Sequence, residues 1–280
     1  MSMTVSEALS RYRMQLIFVM FLLTAVYAQV VPDMVKQWAQ DDNYSHGFLV
    51  PLIAGYFLWQ RWPELKEKLV QPSNWGLLVV ILGALQLLVA RLGTEYFTMR
   101  ASMIVLLVGM VLYWFGREVL KVMALPLGYL IFMVPIPYII YDALAFPLKL
   151  FITKASVAFL KAIGVVVMRE GNVIMLPTTT LEVADACSGI RSLMSLLALA
   201  VAYAFYIQTS TFKRWVLIAS AVPIAIVTNA MRVIVTGILA QWWGAKAAEG
   251  FFHEFAGLVV FALAMVLLVA EGAALRRIGR

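Results

Sequence analysis

The chain is poor in the residues on which metal centres and disulfide-stapled domains depend. It has one cysteine, Cys187, and two histidines, His46 and His253, in 280 residues. A single cysteine excludes an intramolecular disulfide, so the thiol can stay free even in an oxidising compartment. One Cys with two His falls short of an ordinary structural zinc site, and no metal or cofactor is expected. Charge is scarce too. Asp, Glu, Lys and Arg make up 13% of the chain, about half of the roughly one quarter usual in a soluble domain. Apolar residues fill the gap, at 63% hydrophobic with a mean hydropathy of +0.90. This composition excludes a soluble globular domain and predicts a polytopic membrane protein. The net charge of +7 gives no sign of a nucleic-acid partner. Its use lies in where the charges sit, because Lys and Arg in short loops mark the cytoplasmic side.

Measured against the roughly 20 apolar residues needed to cross a bilayer, the sequence predicts about eight spans. They lie near 14–31, 47–60, 74–91, 98–115, 120–136, 188–207, 215–241 and 255–273. The first follows Arg11 and Arg13, and Val26-Tyr27-Ala28 resembles a signal-peptide cleavage site. The run is nearer to a spanning length than to a signal-peptide core, and more spans follow. Arg11 and Arg13, then Arg61, Lys66 and Lys68, then Arg117 and Lys121, then Lys213 and Arg214, and finally Arg276, Arg277 and Arg280 fall on one side if the spans alternate. That side is expected to be the cytoplasm, with both termini inside. No repeat or second domain is visible, so residues 1–280 are expected to form a single transmembrane domain.

The longest outer loop, 137–187, ends at Cys187. Within it, Tyr141 to Ile163 carries Lys149, Lys154 and Lys161 among apolar residues. That pattern predicts an amphipathic helix at the interface. A transmembrane helix is the alternative, at the expense of three lysines in lipid. Two β-branched runs then flank Arg169-Glu170-Gly171-Asn172, which predicts a hairpin. Thr178 to Val183 continues as a possible third strand. Open sheet edges do not survive in lipid, so this sheet is expected to cap the outer mouth of an all-α bundle.

Polar groups inside spans are expensive and mark cavities or partners. Three places stand out. Cys187 and Arg191 are four residues apart, within Ala184-Asp185-Ala186-Cys187-Ser188-Gly189-Ile190-Arg191. A helix N-terminus and a nearby cation favour thiolate over thiol; the plain reading is a small packing residue beside a snorkelling arginine. In the seventh span, Asn229 and Arg232 share a face, with Arg232 roughly 14 Å below the outer end. They form either a cavity-lining cation or an interhelical hydrogen-bond pair. His253, before the last span, is either a general base or an interfacial histidine. All three places open toward the same side, and a Cys, a His base and a cation are the minimum kit for thiol acyl transfer.

At these residues the chain resembles the exosortase/archaeosortase family. The matching pieces are Glu182, Ala186 to Ser192, Asn229-Ala230-Met231-Arg232-Val233 and His253-Glu254-Phe255-Ala256-Gly257. Asp41 to Phe48, Pro51, Trp59 and Pro135-Ile136-Pro137 resemble the family's N-terminal region. The resemblance implies a cysteine protease and transpeptidase of the bacterial inner membrane, working beside exopolysaccharide operons. Its substrates would be exported proteins that end in a Pro-Glu-Pro-like motif, a transmembrane helix and an Arg cluster. It also implies catalytic roles for Cys187, Arg232 and His253; Asp185, Ser188, Arg191 and Asn229 are expected to support them. His46 is read as structural, holding Tyr44 or Asp42. The rival readings are a transporter whose path is lined by Arg191, Arg232 and His253, a non-catalytic factor for polysaccharide export, and an intramembrane acyltransferase.

Overall fold

A computed structural model describes residues 3–177, 179–183, 190–244 and 250–278; at 190, 242 and 250–254 it describes the backbone alone. The chain divides into two units, Met1–Pro137 and Tyr138–Arg280.

The first unit contains α1 (Val5–Arg11), α2 (Arg13–Val26), α3 (Val30–Gln40), a 3-10 helix (Asp42–Phe48), α4 (Leu49–Glu67), α5 (Asn74–Leu92), α6 (Tyr96–Trp114) and α7 (Arg117–Tyr129). A second 3-10 helix, Leu130–Met133, continues α7. The tightest pair is α5 with α6, and glycines make it so. A Cβ at Gly76 would overlap the Tyr113 backbone, and one at Gly109 would lie 2.7 Å from Val80 N. In lipid, where apolar burial gives helices little reason to associate, such close approach is what holds them. Helix α7 runs back along α4. Arg61 Nη1 donates to Val122 O at 3.0 Å, and the Phe57 and Tyr129 rings meet edge-on at 5.6 Å.

Beyond α7 the backbone turns irregular through Pro135-Ile136-Pro137, and its carbonyls need donors from elsewhere. Trp38 Nε1 donates to Met133 O, and Tyr44 OH donates to Ile136 O, each at 2.9 Å. Helix α3 and the first 3-10 helix are thereby fastened over that end. His46 belongs to this fastening and is hydrogen-bonded to the backbone of Phe132 and Asn43. Burial pushes its pKa below the usual 6.5, against the opposing effect of those bonds.

The second unit contains α8 (Tyr138–Ala162), β1 (Met168–Glu170), β2 (Val173–Met175), β3 (Thr180–Glu182), α9 (Ile190–Ile207), α10 (Thr211–Trp243) and α11 (Gly250–Arg277). The expected hairpin is present. Its two-residue turn, Gly171-Asn172, has φ +59° at the glycine, as a type II′ turn demands. The third strand pairs too, in the order β1-β2-β3, all antiparallel, with Ile174 opposite both Arg169 and Leu181. One face of the sheet is buried. Ile174, Leu176, Leu181 and Val183 pack with Ile152 and Leu160 of α8 and with Val233 and Ala240 of α10.

Five described helices are long and apolar enough to cross a membrane: 74–92, 96–114, 138–162, 211–241 and 255–277. The pair α1 and α2 would be a sixth, with an 80° bend between them. The other expected spans have helices, but not of that kind. Arg61, Glu64, Lys66 and Glu67 load the end of α4, α7 stops after 13 residues, and α9 is short. Helix α8 differs from the interfacial helix expected. Its buried face runs through Tyr141, Ala145, Ile152, Ser156 and Leu160. Its exposed face carries Leu144, Phe146, Phe151 and Phe159 as well as Lys154 and Lys161. Both faces are thus largely apolar, and its length and hydropathy qualify it as a span. Large apolar side chains also lie exposed along the other long helices, such as Leu85 and Val89 on α5 and Leu258 and Val266 on α11. A water-soluble surface would not carry so many.

Candidate active site

Helices α9, α10 and α11 form a three-helix core of small and branched residues. Leu196, Ala200 and Ala204 pack with Leu217, Ala221 and Ala225 and with Ala264 and Leu268, all at or below 2% exposure. Alanines at a helix spacing permit the close approach that membrane helices use. One end of this core is fastened by the α9–α10 turn. Gln208, buried there, donates from Nε2 to Gly272 O of α11 at 2.7 Å. Arg214 Nε in turn donates to Gln208 O at 2.8 Å.

The opposite end carries the candidate site. Ile190 lies seventeen residues before the end of α9, and Thr228 lies seventeen residues after the start of α10. In an antiparallel pair joined by a short turn, those two positions come side by side. The start of α9 therefore lies level with Thr228 to Arg232. On α10 the alanine core stops at Ala225, and polar residues follow. Thr228 is 1% exposed, Asn229 2% and Arg232 9%. The Thr228 hydroxyl donates to Ile224 O at 2.8 Å, back along its own helix. Asn229 and Arg232 are both buried, in agreement with the shared face expected for them. Arg232 lies eleven residues, roughly 16 Å, before α10 ends at Trp243.

The guanidinium of Arg232 reaches α11. A Cβ projecting from Gly257 would lie 3.4 Å from its Nη2, 3.6 Å from Cζ and 3.7 Å from Nη1. These near-equal distances mean that the group lies across the glycine. Position 253 is one turn earlier on α11, on the same face as Gly257. Arg191, half-buried, is in the first turn of α9. From α8, buried Ser156 donates to Ala230 O at 3.4 Å, on the turn of α10 between Asn229 and Arg232.

Arg191 thus starts α9 level with Asn229 and Arg232 on α10, and Arg232 reaches α11 one turn beyond position 253. Cys187, Asp185 and Ser188 lie outside the described residues, as does the side chain of His253. The sequence reading did not anticipate the seat of Arg232 on Gly257, nor Ser156. The only sequence signal for the first was a glycine four residues after a histidine. No group of three or more His, Cys, Asp or Glu suited to a metal occurs among the described residues. Chemically, a buried guanidinium reaching from one helix to the next is a preorganised partner for an anion, including one that forms during a reaction.

No curated protein and no solved structure matches the chain. A family does: residues 38–270 match the family described as transmembrane exosortase (Exosortase_EpsH). The matched stretch takes in the fastened 3-10 segment, the β sheet and all three helices around Arg232. With its exposed apolar helices, its buried arginine and a match across most of its length, the chain is a multi-pass membrane protein and a member of the transmembrane exosortase family.

Proposed function

We propose that the protein is a membrane-embedded cysteine endopeptidase and transpeptidase that cleaves C-terminal sorting tails of exported proteins. The substrate tail has a Pro-Glu-Pro-like motif, a transmembrane helix and an Arg cluster. The observation that carries this reading is the buried Arg232 guanidinium seated on Gly257, one turn beyond position 253. Cys187 precedes Ile190 by three residues, and three residues of chain span at most about 11 Å. The only thiol of the chain is thereby tethered to the helix end that lies level with Arg232.

In the proposed reaction, His253 takes the proton of the Cys187 thiol. The sulfur attacks the scissile carbonyl carbon and forms a tetrahedral oxyanion, which Arg232 stabilises. The C–N bond breaks, and the leaving amine takes the proton from the imidazolium. The remaining acyl thioester is resolved by water or by an acceptor amine, and the thiol is regenerated. Asn229 orients Arg232. Arg191 pairs with the acidic residue of the sorting motif, while Asp185 and Ser188 flank the nucleophile. The basic residues of α8, Lys149, Lys154 and Lys161, attract the same acidic motif. The basic residues near both ends of the chain, Arg11, Arg13, Arg276, Arg277 and Arg280, support an inner-membrane orientation with both termini in the cytoplasm, and the proposed site faces the periplasm.

The test is co-expression with a tailed substrate. Cys187→Ala should leave the substrate uncleaved while the protein accumulates normally, and His253→Ala should lose most activity. Full processing by either variant removes that residue from the mechanism. In intact cells, a membrane-impermeant thiol reagent should label Cys187; an inert thiol contradicts the outward site.

A further inference from the structure

The first unit contains a groove of about 470 Å³ that the proposed chemistry does not use. This volume lies within the roughly 300–1,000 Å³ common for small-molecule sites. It is walled by Tyr12 and Leu16 at the α1–α2 bend, by Pro72 and Asn74 at the start of α5, and by Tyr113 and Trp114 at the end of α6. Both walls are held in place. Val5 N donates to Lys68 O at 3.0 Å and Val70 N to Met3 O at 2.8 Å, which ties α1 to the segment before α5. Gln71 N donates to Phe115 O at 3.1 Å, and Gly116, at φ +88°, lets that segment lie against the end of α6. The Tyr12 and Trp114 rings meet edge-on at 6.0 Å across the groove.

Helix α2 has no buried residue of its own. Leu16, at its start, is only partly buried and lines the groove, and Ile17, Phe18 and Phe21 are exposed. Charge at the rim is one-sided. Of the acids at this end, Glu64 pairs with Lys68 at 3.3 Å and Glu118 with Lys121 at 2.6 Å. Glu7 caps α1, accepting from Thr4 N at 2.8 Å, and neither it nor Glu64, Glu67 or Glu118 lines the groove. Exposed Arg11 and Arg13 take part in no ion pair among the described residues. Arg11 Cζ stands 5.9 Å over the ring of Tyr12, itself a wall of the groove.

We propose that this groove binds one anionic phospholipid. Its acyl chain fills the aromatic-walled groove and completes the packing of α2. Its headgroup phosphate is held by Arg11 and Arg13. An apolar slot flanked by aromatics and cations is the arrangement that suits a lipid at the headgroup level.

The test uses full-length protein reconstituted in phosphatidylcholine and titrated with dibrominated phosphatidylglycerol or dibrominated phosphatidylcholine. Bromine quenches tryptophan at contact, and the Trp114 signal is the difference between wild type and Trp114→Phe. Half-quenching should need on the order of tenfold less phosphatidylglycerol than phosphatidylcholine, from two basic residues. Arg11→Gln with Arg13→Gln should erase that preference, and Arg11→Lys with Arg13→Lys should keep most of it. Both residues are exposed, so neither double variant threatens the fold. Equal quenching by the two lipids overturns the proposal, as does no quenching of Trp114 or a preference that survives the glutamines. Displacement of the brominated lipid by inorganic phosphate overturns the lipid assignment as well. Native mass spectrometry should retain one phosphatidylglycerol on the wild type and none on the glutamine double variant.

Discussion

The two units bury polar side chains in different settings. In the first, they answer groups within the unit. Trp38 and Tyr44 donate to carbonyls of an irregular segment, and Arg61 donates to Val122 O. Arg100 donates to Gln37 at 2.6 Å, and the Tyr27 hydroxyl meets that of Ser102 at 2.6 Å. Take those partners away and the backbone or side-chain groups they serve are left in an apolar surround, which costs about 1–3 kcal/mol each. In the second unit, Asn229 and Arg232 sit inside a continuous helix of 33 residues. The helix ladder already satisfies the backbone there, so building α10 does not require either residue. A buried charge deep in a membrane helix is a sign of function.

The comparison can be broken most directly at Arg232. Arg232→Ala should lower turnover of a tailed substrate by on the order of 100-fold or more, as loss of an oxyanion donor does, with normal accumulation of the protein. Near-normal turnover would make Arg232 a packing residue like Arg100. A smaller effect is expected at its seat. Gly257→Val would push on the guanidinium and should lower activity roughly tenfold, while stability barely moves. Gly272 on the same helix is the control. A Cβ there would overlap the Tyr203 ring, so Gly272→Ala should lower stability with little change in turnover per folded molecule. If both glycines behave alike, the distinction between seat and packing fails.

In the first unit the expectations run the other way. Tyr44→Phe leaves Ile136 O without its donor and should destabilise by about 1–3 kcal/mol, read as earlier unfolding, with turnover per folded molecule unchanged. The smallest effect concerns pH. Burial holds the folded His46 pKa below 6.5, so the unfolded chain takes up the proton first. The contribution of neutral His46 is present above about 6.5 and is lost as pH falls toward the lowered value. Between these limits stability should decline, and His46→Gln should flatten that slope.

The sequence made some of this legible because the signals are local. Gly171-Asn172 between β-branched runs specified the hairpin, and the long apolar runs of α5, α6, α10 and α11 announced themselves. Helix α8 was harder, because three lysines suggested one wet face, whereas packing on α10 and the exposed phenylalanines leave both faces largely apolar. The bend between α1 and α2 carries no proline or glycine to mark it. The bonds from Trp38 and Tyr44 to residues more than ninety positions away have no local trace at all. At the site, residue types and helix spacing singled out Asn229, Arg232 and His253. The contact between Arg232 and Gly257 depends on how two helices cross, and spacing does not encode that.

The central claim is that the end of the second unit around Arg232 is an acyl-transfer site whose nucleophile is Cys187. As the chain has a single thiol, intact-mass measurement tests it with little ambiguity. Purified protein should be mixed with a substrate peptide bearing the sorting motif and quenched in acid. The account predicts a mass increase equal to the N-terminal acyl fragment. That adduct should be released by hydroxylamine, absent in Cys187→Ala and strongly reduced in Arg232→Ala. Cleavage of the peptide to completion by Cys187→Ala would contradict the account.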